Sequence, residues 1–263
     1  MRILVCFAIS PVLEELTPDE WQTAVENNLD LSFVKRTYGD FDETALEQGL
    51  RLKDSLAVMN QECTLHALTI DAEENTNALS SLFAVGYDSV FRLEIASERW
   101  REPQSNARLL ADFVDKQGGY DVILMGQQAV GLDSGQTHWM LSELLGIPAV
   151  TNVSAIEPVN DGTLSVTHGG VHTRAMAHVS VPIVLGVENC QHTYLRIPTL
   201  REKLAAKSKE IAVLSASEEA TNTTPPRVWY QRSDRLGCIL QGDTVADKVE
   251  QLYQLVLKEV LPS

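Results

Sequence analysis

The chain has 263 residues, enough for one large α/β domain with a core, or for such a domain plus an extended arm. Hydrophobic residues make up 44% and charged residues 22%, globular values that argue against wholesale disorder. A formal net charge of -15 argues against nucleic acid and anionic membranes as partners, because their phosphates would be repelled.

The first apolar run, residues 3–7, has no cleavage-site pattern after it and reads as a core strand. No apolar stretch reaches the roughly 18–20 residues that span a bilayer, so no membrane insertion is expected. Cys6, Cys63, Cys190 and Cys238 are far apart, with no Cys-x-x-Cys pair. They read as reduced thiols of a cytoplasmic protein, with no metal site and no redox disulfide.

Between residues 10 and 40 the pattern is acidic and weakly periodic, with Pro11, Pro18 and Asn27-Asn28. A segment that long reads as an excursion from the sheet, of hairpin type. After it, short β-branched runs at 64–70, 89–92 and 121–125 alternate with helical stretches at 43–55, 73–85 and 105–116. In the first helix Ala45, Leu46, Gly49, Leu50 and Leu52 recur at helical spacing. Strand–helix alternation of this period predicts a doubly wound, mostly parallel sheet with right-handed crossovers.

From Thr151 the pattern changes. Residues 153–156, 163–168 and 172–179 alternate, with turn signals at Asn160-Asp161-Gly162 and Gly169-Gly170, which predicts antiparallel strands on the edge of the sheet. Residues 182–187 read as a further buried strand, 190–199 as a polar loop and 200–209 as a basic helix. Residues 211–224 are small and polar and read as a linker, ahead of an amphipathic helix at 245–260. The expected division is an α/β domain at 1–210 and a linker with a C-terminal arm at 211–263. His168, His172 and His178 suit a metal by composition, but no carboxylate accompanies them, and a metal site is not expected.

The most informative stretch is Y-D-V-I-L-M-G-Q-Q-A-V-G-L-D-S-G-Q-T from Tyr120 to Thr137. A buried strand runs into a Gly-rich loop and then into a helix. Glycines admit backbone N–H groups close to a phosphate, and the helix start leaves N–H groups unpaired with a dipole that favours negative charge. In a doubly wound sheet such a loop lies at the carboxyl edge, where ligands bind. There is no G-x-x-x-x-G-K-[ST], and no G-x-G-x-x-G after the first strand. The residues alone allow a phosphate-bearing ligand or a plain strand–turn–helix with a Ser cap.

This run, continued by E-L-L-G-I-P-A-V-T from Glu143 to Thr151, resembles the signature loop of electron transfer flavoprotein β subunits, G-x-Q-A-I-D-x-x-x-x-Q-x-G followed by a helix ending in L-G-x-P-x-x-T. F-D-E-x-A-L-E-x-x-L-R-L-K from Phe41 to Lys53 is similar to that family's N-P-F-D-E-x-A-x-E-x-A-x-R-L-K. L-R-I-P-T-L from Leu195, running on to Lys209, is similar to its R-Y-P-S-L-x-x-I-M-x-A-K-x-K. The three matches fall in family order.

The resemblance implies the adenine-nucleotide α-hydrolase-like form of the fold and an electron carrier, not an enzyme. It implies an α subunit as partner, supplying most of an FAD site shared at the interface. It also implies an adenine nucleotide, AMP or a second FAD, in this chain. Carried over, the pocket takes Cys6 and Ala8 from the first strand, Gly39, Asp40 and Phe41 from the first-helix entry, and Ile70 from the second strand. From the loop it takes Gly126, Gln128, Ala129, Leu132, Gly135, Gln136 and Thr137. Leu200 falls on the family's recognition loop, here about 190–205, which docks a partner dehydrogenase. Departures at Ala8, Gly39-Asp40 and Gly131 leave open which adenine nucleotide is held. Two other readings share the fold: a stress-protein-like nucleotide sensor, which leaves 195–209 unexplained, and a nucleotide α-hydrolase, whose S-G-G-x-D-S loop is absent.

Overall fold

In β1 (Arg2–Phe7) successive side chains leave on opposite faces, and both faces are covered: Ile3, Val5 and Phe7 enter one apolar cluster, Leu4 and Cys6 the other. This is the signature of a sheet clothed by helices on both sides. The computed structural model describes residues 1–26, 33–71, 75–95, 102–128, 135–160, 162–170, 172–190, 193–216, 237 and 239–258. They fall into two units. One holds Met1–Leu16 and Asp30–Pro226, the other Thr17–Leu29 and Arg227–Ser263.

In the first unit, β1 is followed by β2 (Ile9–Pro11), which pairs antiparallel with β3 (Arg36–Tyr38). The expected excursion therefore leaves and returns as a two-stranded ribbon. Next come α2 (Asp40–Val58), β4 (Thr64–Ile70), α3 (Thr76–Val85), β5 (Ser89–Glu94), α4 (Pro103–Lys116) and β6 (Val122–Gly126). Then follow α5 (Thr137–Leu145), β7 (Ala149–Asn160), β8 (Thr163–Gly170), β9 (Thr173–Ser180), β10 (Ile183–Val187), α6 (Leu200–Ala206) and β11 (Ala212–Ser215). The nine-stranded sheet runs β11-β5-β4-β1-β6-β10-β7-β8-β9. Its pairs are parallel from β11 to β7, and β7-β8-β9 is an antiparallel edge. The doubly wound sheet with antiparallel edge strands is thus observed.

One face is covered by α2, α3 and the end of α6, the other by α4 and α5. Gly49 lets α2 lie close on the sheet: a Cβ there would stand 2.7 Å from Cγ2 of Val5. Residues 212–215, read above as linker, form β11 in register with Phe91–Glu94. Ala-Val-Leu-Ser is too short to announce itself, and its pairing lies more than a hundred residues away in sequence.

The second unit holds α1 (Pro18–Glu26) and α7 (Val245–Leu252), the latter continued by a π-helical turn at Tyr253–Leu257. Thr244 and Asp247 close a capping box at the start of α7. Val245, Val249, Tyr253 and Val256 are exposed along α7 and its continuation. No helix among the described residues is long and apolar enough to cross a membrane.

Candidate functional site

The carboxyl end of β6 is where two helix starts meet. At Gly126 the entry of α2 approaches so closely that a Cβ would stand 2.6 Å from Oδ1 of Asp42, 2.9 Å from its amide nitrogen and 3.0 Å from the carbonyl carbon of Phe41. A glycine at this strand end is what the approach demands. On the other side, Gly135 takes φ +69, and a Cβ there would stand 3.2 Å from the main-chain oxygen of Gln127. The residues leading into α5 therefore fold back on the end of β6. Neither α2 nor α5 carries a side-chain cap hydrogen bond. The first turn of α2 already carries three carboxylates, Asp40, Asp42 and Glu43, whereas the first turn of α5 carries none, so it is the start of α5 whose dipole favours an anion.

The loop's first residue is tied on both sides. The amide of Gln127 donates to the carbonyl of Val187 at 2.9 Å, and its Oε1 accepts from the amide of Asn152 at 2.8 Å. Asn152 is held at φ 53, a left-handed conformation that asparagine tolerates. Gln127 thus joins β6 to β10 and β7 just before the glycine-rich stretch.

Domain similarity decides the family. The Electron transfer flavoprotein domain matches residues 34–219, well over half of the chain. The chain belongs to the electron transfer flavoprotein family. It is 26% identical over 261 residues, 98% of each chain, to YgcR of Escherichia coli (strain K12), named as an electron transfer flavoprotein subunit. It is 27% identical over 193 residues to a Saccharomyces cerevisiae protein named as an electron transfer flavoprotein β subunit. That match covers 73% of this chain and 72% of the other.

In this electron transfer flavoprotein subunit the residues singled out from sequence lie as follows. Cys6 is buried in β1 and faces the α4–α5 side, so only its main chain is available to a ligand at the sheet edge. Burial first, and the charge of Asp42 second, push its thiol well up from the ordinary range. Ala8 is half-buried between β1 and β2, and Ile70 is the last residue of β4. Gly39 is buried, Asp40 exposed and Phe41 half-buried at the start of α2. Oδ2 of Asp40 accepts from Nδ2 of Asn189 at 3.5 Å. Gly126 ends β6, Gln128 and Gln136 are exposed, and Thr137 is buried as the first residue of α5. Ala129 and Leu132 lie outside the described residues. The contacts bring together Phe41, Gly126, Gln128 and Gly135 around the end of β6.

The segment before α6 is mounted on α2. The amide of Leu195 donates to Oε1 of Glu43 at 3.2 Å. Arg196 gives Glu47 three hydrogen bonds, from its amide at 3.1 Å, Nε at 3.2 Å and Nη2 at 2.9 Å, and a fourth from Nη1 to Asp54 at 2.9 Å. These carboxylates hold the guanidinium proton even more firmly than usual. What the mount displays is apolar: Ile197 is 89% exposed and Leu200 73%. Thr199 and Glu202 form a capping box that starts α6 directly under Leu200.

Asp42, Gln127, Glu47 and Asn189 were not singled out from sequence as site residues. Asp42, Gln127 and Glu47 stand inside the quoted motifs, but their partners are distant in sequence; Asn189 carries no signal at all. His138 is a further surprise. It is buried against Gly186, its Nε2 has no hydrogen-bond partner among the described residues, and burial lowers its pKa. His168 lies on β8 and His178 on β9, three register positions apart. No group of three metal-ligating side chains occurs among the described residues.

Proposed function

We propose that this chain is the β-type subunit of a heterodimeric electron transfer flavoprotein. It holds an adenine nucleotide, AMP or a second FAD, at the carboxyl end of β6, and a partner α subunit carries most of a shared FAD. The observation that carries the reading is the meeting of two helix starts without side-chain caps at Gly126 and Gly135. The start of α5, with no acidic residue in its first turn, suits a phosphate, and a donor set of main-chain amides needs no lysine. Main-chain groups around Ala8, Gly39 and Ile70 would hold the adenine and ribose. Asp40, with Asn189 beside it, would face the ribose, since its charge suits hydroxyl groups and not a phosphate.

The flavin, when bound, supplies the one- and two-electron chemistry. This chain's residues contribute shape, electrostatics and docking, which makes it an electron carrier subunit and not an enzyme. Leu200, on its α2-anchored mount, inserts into a dehydrogenase partner as an apolar knob. The sheet, β11 included, forms the nucleotide-binding domain, and the residues after Pro226 carry the arm that docks on the α subunit through the exposed face of α7. A soluble, cytoplasmic location fits the strongly acidic composition.

Co-expression with a candidate α subunit tests this. The expected product is a yellow heterodimer in which Leu200→Ala slows reduction by the cognate dehydrogenase while chemical reduction of the flavin is unchanged. A colourless, stable homodimer that binds ATP would sink the reading.

A further inference from the structure

A cavity of about 380 Å³ lies where α3 and α6 meet, away from the end of β6. From α3 it takes Asn77, Ser80, Ser81 and Ala84, spaced i, i+3, i+4, i+7 and so forming one stripe of that helix. From the other side come Lys203, Lys207 and Lys209, with the buried Ala84 and Ala206 forming a small-residue floor. No carboxylate lines it. In a chain with 36 acidic residues, α3 itself has none, and its outward stripe is amide and hydroxyl.

Lys209 is fixed, donating to the carbonyl of Tyr87 at 3.3 Å with its ammonium 5.3 Å above the Phe83 ring. Lys203 on α6 and Lys207, which caps its C-terminus, stand one helical turn apart, and neither has an ion pair among the described residues. Like charges at that spacing repel. The nearest helix carboxylate is committed elsewhere, since Glu202 accepts from the amide and hydroxyl of Thr199 at 2.6 and 2.8 Å. Asn77 and Ser80 add polar groups from α3, while the Ser81 hydroxyl is spent on the carbonyl of Ala78 at 2.6 Å. Three lysines and two neutral polar side chains around one concavity suit a tetrahedral oxyanion, and lysine binds phosphate as a point charge.

We propose that this cavity binds the phosphate or diphosphate group of a small phosphorylated metabolite, at a site separate from the nucleotide position. Concavity and size suit a small molecule and not an extended acidic segment. The net charge of -15 opposes a lipid headgroup as the source of the phosphate. This inference does not rest on the proposed electron-carrier role.

The probe is inorganic pyrophosphate, titrated calorimetrically into the purified protein saturated with AMP, so that the β6 loop is not its target. Saturable binding at one site per chain is expected, weakened roughly tenfold in the double variant Lys203→Gln/Lys207→Gln. Ser80→Asp, which sets a carboxylate in the cavity, abolishes it. All three positions lie outside the core and leave the circular dichroism spectrum unchanged. Absence of saturable binding, or binding that both variants retain, overturns the proposal. So does sedimentation with phosphatidylglycerol vesicles in the absence of pyrophosphate binding, which would assign the lysines to a membrane.

Discussion

Adding one methyl group at Gly126 probes the seam on which the site depends. In Gly126→Ala the new Cβ meets Asp42 Oδ1 at 2.6 Å, Asp42 N at 2.9 Å and the Phe41 carbonyl carbon at 3.0 Å. Carbon atoms rest at about 3.5–4.0 Å from their neighbours, so the start of α2 must retreat by roughly 0.5–1 Å. Two of the three atoms belong to the backbone, so no rotamer change relieves the clash. Overpacking of this kind costs about 1–3 kcal/mol, and we expect about 2 kcal/mol in urea unfolding. The retreat also shifts the start of α2, with Phe41 and Asp42, relative to the start of α5. AMP affinity, measured by calorimetry, is therefore expected to fall roughly tenfold, equivalent to about 1.4 kcal/mol. Gly170→Ala is the control, since a Cβ there meets nothing within 4 Å and stability should be unchanged. A Gly126→Ala protein with the wild-type urea midpoint and wild-type AMP affinity would refute the reasoning.

Three further outcomes follow from the same contacts. Arg196→Ala strips two side-chain hydrogen bonds from Glu47, whose side chain is only 7% exposed, while the guanidinium it replaces is 37% exposed. We expect a loss of about 2 kcal/mol, below the 3–5 typical of a fully buried pair, and faster hydrogen exchange at residues 195–200. Arg196→Lys should restore only part of it, and unchanged exchange would contradict the mount. His138 and His66 both have pKa values lowered chiefly by burial, with the charge of Arg2 adding at His66. The unfolded chain therefore binds more protons just below the ordinary value of about 6.5. Their contribution is present above that pH and lost as the pH falls through the folded values, so the urea midpoint should be lower at pH 5.5 than at 7.5, and less so in His138→Leu. A flat or inverted profile counts against it. Finally, native Cys6 should resist a thiol-specific disulfide reagent until the chain unfolds, because its thiol is buried and its pKa raised. Rapid labelling of Cys6 in the native state would show that β1 is not sealed.

Local periodicity was enough to read the parallel sheet, because β1, β4, β5 and β6 are apolar runs separated by helices with a 3.6-residue pattern. The antiparallel edge was legible from its alternation and glycine turns. What could not be read depends on partners far apart in the chain. The helix read from residue 43 begins at Asp40, since Asp40 and Phe41 are poor helix signals and the start is set by packing on Gly126. Strand β7 runs from 149 to 160, well beyond 153–156, carried through Asn152 and two register shifts that alternation does not foresee. The hold of Glu47 on Arg196 spans 149 residues, a distance over which local pattern carries no signal. The basic helix read at 200–209 ends at Ala206, and Lys209 beyond it is pinned by the Tyr87 carbonyl. The glycine-rich loop could be read as a candidate anion site, but the approach of the second helix start, from α2, appears only in three dimensions.

The central claim is that the meeting of α2 and α5 at the end of β6 holds an adenine nucleotide. Acid extraction of the chain co-purified with a candidate α subunit, followed by chromatographic quantification of released nucleotides, tests it most directly. The account predicts one adenine nucleotide bound to this chain, seen as one AMP plus one FAD, or as two FAD, per heterodimer, with the chain-bound nucleotide lost in Gly126→Ala. One FAD with no second nucleotide, and no AMP uptake on addition, would contradict it.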